Sequence, residues 1–137
     1  MRKKAWTFQG LSSTAAGEMG GTVGDVQDLA QMFAALSNQS RLRIVNLLIE
    51  NALCVRDLAR VLSLSQSNIS QHLTVLHNAA LVSVQREGSF SLYRLTIPEP
   101  YRQLVHCLRQ SRESFPLLQA DLRELHQVVE ESEQARC

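Results

Sequence analysis

Residues Ser65-Gln66-Ser67-Asn68-Ile69-Ser70-Gln71-His72-Leu73-Thr74-Val75-Leu76 carry two different faces at helical spacing. Ile69, Leu73 and Leu76 stand at i, i+4 and i+7, which turns them toward a core. Ser67, Gln71 and Thr74 repeat that spacing on another side, with Gln66 and Ser70 beside them. Nothing on that side is long, acidic or bulky. A chain with this segment must bury one edge of a helix and leave a slim, uncharged, hydrogen-bonding face outside. Glutamine and asparagine pair bidentately with adenine, serine bonds to bases or phosphates, and a threonine methyl touches thymine. Such a face suits the major groove of DNA. The competing reading is an ordinary solvated surface, because serine-rich polar faces are common.

The neighbouring segments bear on that choice. Cys54-Val55-Arg56-Asp57-Leu58-Ala59-Arg60-Val61-Leu62 predicts a second short amphipathic helix, with Val55, Leu58 and Leu62 as its buried stripe. Ser63-Leu64 is a tight connection, and Ser65 is a good N-cap for the helix after it. Two short helices so joined form a helix-turn-helix. Ser63 stands where such turns often have glycine. A hairpin is predicted next: Leu81 to Arg86 alternates Val82 and Val84 with Ser83 and Gln85, and Phe90 to Leu95 is rich in apolar and aromatic residues. Glu87-Gly88-Ser89 lies between them, and Gly88 can take the positive φ of a tight turn. A hairpin in this position is a wing, and Arg86 and Arg94 are placed to reach phosphates or the minor groove. The alternative is a small β-ribbon capping the core, its arginines merely solvated. The candidate DNA contacts are therefore Ser65, Gln66, Ser67, Asn68, Ser70, Gln71, Thr74, Arg86 and Arg94.

Residues 35 to 95 resemble the ArsR/SmtB family of winged helix-turn-helix repressors, and within it the arsenic repressors. The resemblance is carried by Ala35-Leu36-Ser37-Asn38-Gln39-Ser40-Arg41-Leu42-Arg43-Ile44, by Asp57-Leu58-Ala59, by Leu64 to Leu73, by Ala80-Leu81-Val82 and by Tyr93-Arg94-Leu95. It implies a homodimer that binds operator DNA and releases it when an effector arrives. The implied fold is mostly α with a small β-hairpin: a winged helix-turn-helix of about six helices, dimerising through its N- and C-terminal helices.

A net charge of +1 looks low for a DNA-binding protein, but the charges are unevenly distributed. Residues 41 to 110 hold eight arginines against four acids, whereas residues 111 to 137 hold three arginines against six acids. Phosphate attraction depends on local potential, so a basic head with an acidic tail is compatible with DNA binding. A hydrophobic share of 45% with only 5% aromatics suits a helical domain with an aliphatic core. No apolar run approaches the roughly 18 residues of a membrane span. The basic start, Met1-Arg2-Lys3-Lys4, is followed by no apolar signal core. A cytoplasmic protein with no membrane partner is expected.

Residues 1–24, rich in Gly, Ser, Thr and Ala, read as a flexible arm. Residues 25–110 read as the DNA-binding domain and residues 111–137 as a dimerisation helix. Val26, Leu29, Ala30 and Phe33 mark a first helix; Leu42, Val45, Leu48 and Ile49 mark a second, N-capped by Asn38 or Ser40. Tyr101, Leu104, Val105 and Leu108 mark a fifth. Pro116 fits the first turn of a sixth, whose stripe Leu118, Leu122, Leu125 and Val129 is expected to pair with its counterpart across a two-fold axis. The alternative is a tail folded back on its own subunit.

The chain has three cysteines, Cys54, Cys107 and Cys137, and the odd count at wide spacing does not suggest a disulfide framework. Cys54 falls at the N-cap of the third helix. A helix N-terminus and Arg56 favour its thiolate, while Asp57 opposes it. Cys54-Val55-Arg56-Asp57-Leu58 resembles the family's arsenite-sensing motif, in which a second cysteine stands where this chain has Arg56. One thiolate holds a soft ion poorly. Cys107 and Cys137 are candidates to pair in space. His106 and His126 do not reproduce the carboxylate–histidine spacing of the family's zinc sites, and the second helix lacks the cysteine of its sulfur-sensing members. Cys54, Cys107 and Cys137 are the candidate ligands of a thiophilic effector such as As(III) or Sb(III). No cofactor is expected to be needed for folding.

No nucleophile–base pairing, phosphate loop or metal triad stands at diagnostic spacing, so an enzyme is not expected. The expected function is an effector-responsive transcriptional repressor, released from operator DNA by a metal, metalloid or redox signal acting on thiols. The alternative is a DNA-binding regulator without a small effector, controlled by a protein partner through the acidic last helix.

Overall fold

A computed structural model describes residues 25–135. The arm read at residues 1–24 and Cys137 lie outside these residues. In chain order the elements are α1 (Val26–Leu36), α2 (Gln39–Leu48), β1 (Leu53–Cys54), α3 (Val55–Leu62), α4 (Gln66–Asn78), β2 (Val82–Glu87), β3 (Phe90–Leu95), α5 (Arg102–Ser111) and α6 (Pro116–Ala135), with short 3-10 turns on either side of α5. The fold is a winged helix-turn-helix of six helices and one small antiparallel sheet in the order β1-β3-β2.

The core forms around α2. Ile44, Val45, Asn46, Leu47 and Leu48 are all buried, so this helix is covered on nearly every side. Its N-cap is Asn38, whose side-chain oxygen accepts from the Arg41 N–H at 3.0 Å. The one polar side chain in the buried run, Asn46, is satisfied by Arg112, whose Nε donates to Asn46 Oδ1 at 2.6 Å and whose second guanidinium nitrogen donates to the Asn46 carbonyl at 3.0 Å. Arg43 forms a fork-to-fork pair with the buried Asp121 on α6, both contacts at 2.8 Å. These two arginines hold the end of α5 and the start of α6 against α2.

Two helix faces differ from the sequence reading. On α1 the buried residues are Met32, Ala35 and Leu36, whereas Val26, Ala30 and Phe33 are exposed. The expected stripe is therefore phased wrongly, and only Leu29 of it packs on the core. On α6, Leu125 and Val128 are fully buried in their own chain, and Leu122 and Val129 pack against the same core. The stripe expected to meet a second subunit is used inside one. The physical reason is Asp121: pinned by Arg43, it turns this side of α6 inward.

The connection between α3 and α4 is closed by Ser63 at φ 58°, with the Leu64 N–H donating to the Ala59 carbonyl. Serine here adopts the left-handed conformation that glycine takes without strain, at a cost of order 1 kcal/mol. Replacing Ser63 with Gly is expected to raise the stability by about 0.5 kcal/mol at most, after the extra chain entropy of glycine is set against the relieved strain; urea midpoints will read it. Arg43→Met is expected to lower stability by about 3 kcal/mol, because Asp121 is left buried without its partner, while removal of the exposed Arg102–Glu99 contact should change nothing measurable.

Candidate nucleic-acid interface

Helix α4 is anchored by Ile69, Leu73 and Leu76, at most 1% exposed. Each such side chain contributes roughly 1.5–3 kcal/mol of burial, which fixes how the helix is rolled on the core. Its N-cap is Ser65, whose hydroxyl accepts from the Asn68 N–H at 3.1 Å. The roll leaves Ser65, Gln66, Ser67, Asn68, Ser70, Gln71 and Thr74 on the outside, every one of them exposed. The Thr74 hydroxyl donates to the Ser70 carbonyl at 3.0 Å. That bond uses the hydroxyl proton of Thr74, leaving its oxygen as an acceptor only and its methyl as an apolar contact.

The wing closes at Gly88-Ser89, with Glu87 paired to Phe90 and Gly88 at φ +68°. The loop is thus two residues, one shorter than the sequence reading. Arg86 lies opposite Ser91 and Arg94 opposite Ser83. Directly opposed residues share a face and neighbours alternate, so the two arginines project from opposite faces of the ribbon. Both are exposed. The strand β1, not foreseen in the sequence, extends the sheet by pairing Leu53 with Tyr93 and Cys54 with Leu92.

Many of the remaining arginines face inward or to acids. Arg43 meets Asp121, Arg60 meets Glu131, Arg102 meets Glu99, and Arg112 meets Glu50. Among the described residues Arg86 and Arg94 make no ion pair and are exposed, so both are available to phosphates.

Arg41 joins three elements. Its Nε donates to the Ala35 carbonyl near the end of α1 at 2.6 Å, and another guanidinium nitrogen lies 3.5 Å from Nδ1 of His72 on α4. Partial burial first, and the Arg41 charge second, push the His72 pKa below its ordinary value. Sequence reasoning did not single out this junction, nor Asn46, Arg112 or Asp121. A lone asparagine inside the apolar run Ile44 to Ile49 was the available sign that a polar side chain would be buried there.

The three cysteines differ in setting. Cys54 is buried at the N-cap of α3, and its sulfur makes no capping bond. It is engaged in a disulfide, contrary to the expectation drawn from the odd count. Cys107 is a free thiol exposed on α5, so the envisaged pairing of Cys107 with Cys137 is not formed. Cys137 lies outside the described residues. Among the described residues no group of three or more His, Cys, Asp or Glu is gathered closely enough to hold a metal ion, and no helix is long and apolar enough to cross a membrane.

Residues 38–84, the span from the α2 cap through the first half of the wing, match the family described as "Bacterial regulatory protein, arsR family". A transcriptional repressor SmtB homolog of Synechocystis is 35% identical over 88 residues, which are 62% of this chain and 67% of that protein. The chain belongs to the arsR family. The arsenical resistance operon repressor of Bacillus subtilis is 37% identical over 70 residues, 50% of this chain and 67% of the relative. Among solved structures, reduced HlyU from Vibrio cholerae superposes with a TM-score of 0.57 at 28% identity, covering 66% of this chain and 90% of HlyU. The arsR-family chain is thus a DNA-binding transcriptional regulator with a winged helix-turn-helix, and not an enzyme.

The His72–Arg41 contact gives this head a pH dependence. Because the folded pKa of His72 is depressed, the unfolded chain binds the proton first as pH falls. Stability contributed here is complete above the ordinary histidine value of about 6.5 and declines as pH drops from there toward the lower folded value. Urea titrations at pH 7.5 and 5.5 should show a smaller acid loss for His72→Gln than for the parent; equal losses would exclude this contact as the cause.

Proposed function

We propose that the chain is a homodimeric repressor whose two α4 helices enter successive major-groove half-sites of an operator and whose thiols respond to an effector. The observation that carries this reading is the face of α4. Seven small polar side chains from Ser65 to Thr74 are exposed together, on a helix that three buried residues hold in one orientation. Gln66, Asn68 and Gln71 supply bidentate amides, and the Thr74 methyl supplies an apolar contact, the two kinds of group that distinguish A·T pairs. Arg86 and Arg94 on the wing serve phosphates or the minor groove.

Dimerisation is supported by the apolar surface that one subunit leaves uncovered. Val26 and Phe33 on α1 are 76% and 50% exposed, and Phe115 and Leu117 at the start of α6 are 55% and 43% exposed. Helix α5 has no buried residue, although Leu104, Val105 and Leu108 recur at helical spacing along it. A second copy meeting these surfaces brings N- and C-terminal segments together, though with other residues than the α6 stripe. A two-fold pair then spaces its reading helices about one DNA turn apart, roughly 34–36 Å.

The effector acts on thiols in this reading, with Cys54, Cys107 and Cys137 as the candidates for an oxidant or a thiophilic ion such as As(III) or Sb(III). The arsenical-resistance relative is a repressor by its name, which supports repression here and makes an arsenic species a ligand to try.

Gel-shift titrations on operator and scrambled duplexes test the DNA reading. Gln71→Ala is expected to weaken operator binding by roughly 1–3 kcal/mol while leaving scrambled DNA almost unaffected. Arg94→Ala should weaken both alike and flatten the salt dependence by about 0.9 in log–log slope for each phosphate no longer neutralised. Equal losses on the two duplexes for Gln71→Ala would count against base reading by α4.

A further inference from the structure

We propose that the groove between α5 and the root of the wing binds a small organic acid, a carboxylate carried on an apolar body. Leu95 at the end of β3 and Ile97 just beyond it form one wall. Arg102, Val105, His106 and Arg109 of α5 form the other, around about 580 Å³. That volume falls within the span typical of small-molecule sites. Among the described residues that line the groove, none is an aspartate or glutamate.

The spacing along α5 creates this chemistry. Positions 102, 106 and 109 stand at i, i+4 and i+7 and share one side of the helix. Over roughly 10 Å of axis that side carries two guanidiniums and an imidazole. Leu104 and Leu108, on another side, pack against the core of their own chain. That packing sets the roll of α5 and turns the basic side toward the end of β3. Leu95, Ile97 and Val105 are each only half-buried, so the groove offers apolar surface beside its cations.

Both guanidiniums are weakly held. Arg109 reaches Glu50 only at 3.9 Å, and the same carboxylate oxygen is bonded to Arg112 at 2.8 Å. Arg102 meets Glu99 at 3.0 Å with both ends exposed, so water already competes for that pair and an incoming carboxylate can replace it. A guanidinium takes a carboxylate through two parallel bonds. The apolar walls reward a ligand body that an inorganic anion lacks and that a phosphate of a DNA backbone does not present. The two features together select an amphipathic acid.

The groove touches the wing at its root. Leu95 pairs with Val82, and the Thr96 N–H donates to the Leu81 carbonyl at 2.9 Å, so one wall of the groove is tied to both strands of the wing. A carboxylate held there sets a negative charge near the strand that carries Arg94 and lowers the local attraction for phosphate. The liganded chain therefore binds operator more weakly. This consequence rests on the repressor reading above, whereas the binding site does not.

The full chain is titrated with 2-naphthoate, acetate and 2-naphthylmethylammonium, and binding is followed by the backbone amide resonances. Naphthoate is expected to bind once per chain with a Kd of about 1 mM or tighter, moving resonances of residues 95–97 and 102–109. Acetate and the ammonium should bind at least about tenfold more weakly. Arg109→Gln should weaken naphthoate about tenfold. Arg123→Gln, which removes an exposed charge of α6 outside the groove, should leave it unchanged. The site is overturned if naphthoate does not bind, if Arg109→Gln binds it as the parent does, or if acetate or the ammonium matches it. A loss of duplex binding by Arg109→Gln without naphthoate would assign the groove to DNA phosphate and overturn the small acid. Gel shifts on operator with saturating naphthoate should show about fivefold weaker binding for the parent and no change for Arg109→Gln. Unchanged parent affinity overturns the coupling. If the chain binds no duplex at all, the repressor reading fails while the naphthoate titrations still decide the groove.

Discussion

A fork-to-fork bond between Arg43 and the buried Asp121 decides where the last helix lies, and with it what the surface of this subunit offers. A carboxylate that is 4% exposed is stable only beside its guanidinium. With that contact fixed, α6 turns Leu125 and Val128 into the core of its own chain. The Arg112–Asn46 bonds complete the arrangement at the joint between α5 and α6. Polar contacts of this directional kind specify one docking geometry, where apolar packing alone tolerates several.

The same arrangement separates the charges by task. Most arginines of the basic stretch hold elements together or meet acids, and the wing keeps Arg86 and Arg94 for the solvent side. Helix α4 itself presents neutral amides and hydroxyls. In the function proposed above, affinity and base reading come from different elements, the first dependent on salt and the second on hydrogen-bond pattern. Arg41 links the end of α1 to His72, so α4 is tied to the same element whose outer face leaves Val26 and Phe33 exposed.

Much of the site was legible in the residues. The period of Ile69, Leu73 and Leu76 placed the buried and exposed faces of α4 correctly, because a short helix on a small core has one way to bury three aliphatic side chains. The N-caps Asn38 and Ser65 and the glycine at the wing turn were equally local. The phases of α1 and α6 were not legible. Each carries apolar residues on more than one side, Val26 and Phe33 beside Met32 and Leu36, or Leu117 beside Leu125. Periodicity then leaves two phases open, and a long-range partner chooses between them. The Cys54 disulfide was missed because a count of cysteines and their spacing says nothing of which sulfurs the fold brings together.

The sequence by itself determined the helix-turn-helix, the uncharged face of α4 and the wing, since each arises from interactions among residues close in the chain. Only the tertiary structure decided which stripe of α1 and α6 is internal, which arginines remain available, and that the end of α6 crosses the N-terminus of α3. Those outcomes depend on contacts such as Arg43–Asp121 and Asp57–Ser132, formed between residues 78 and 75 positions apart. No local pattern encodes such pairs, because what selects them is the shared cost of burying charge without a partner.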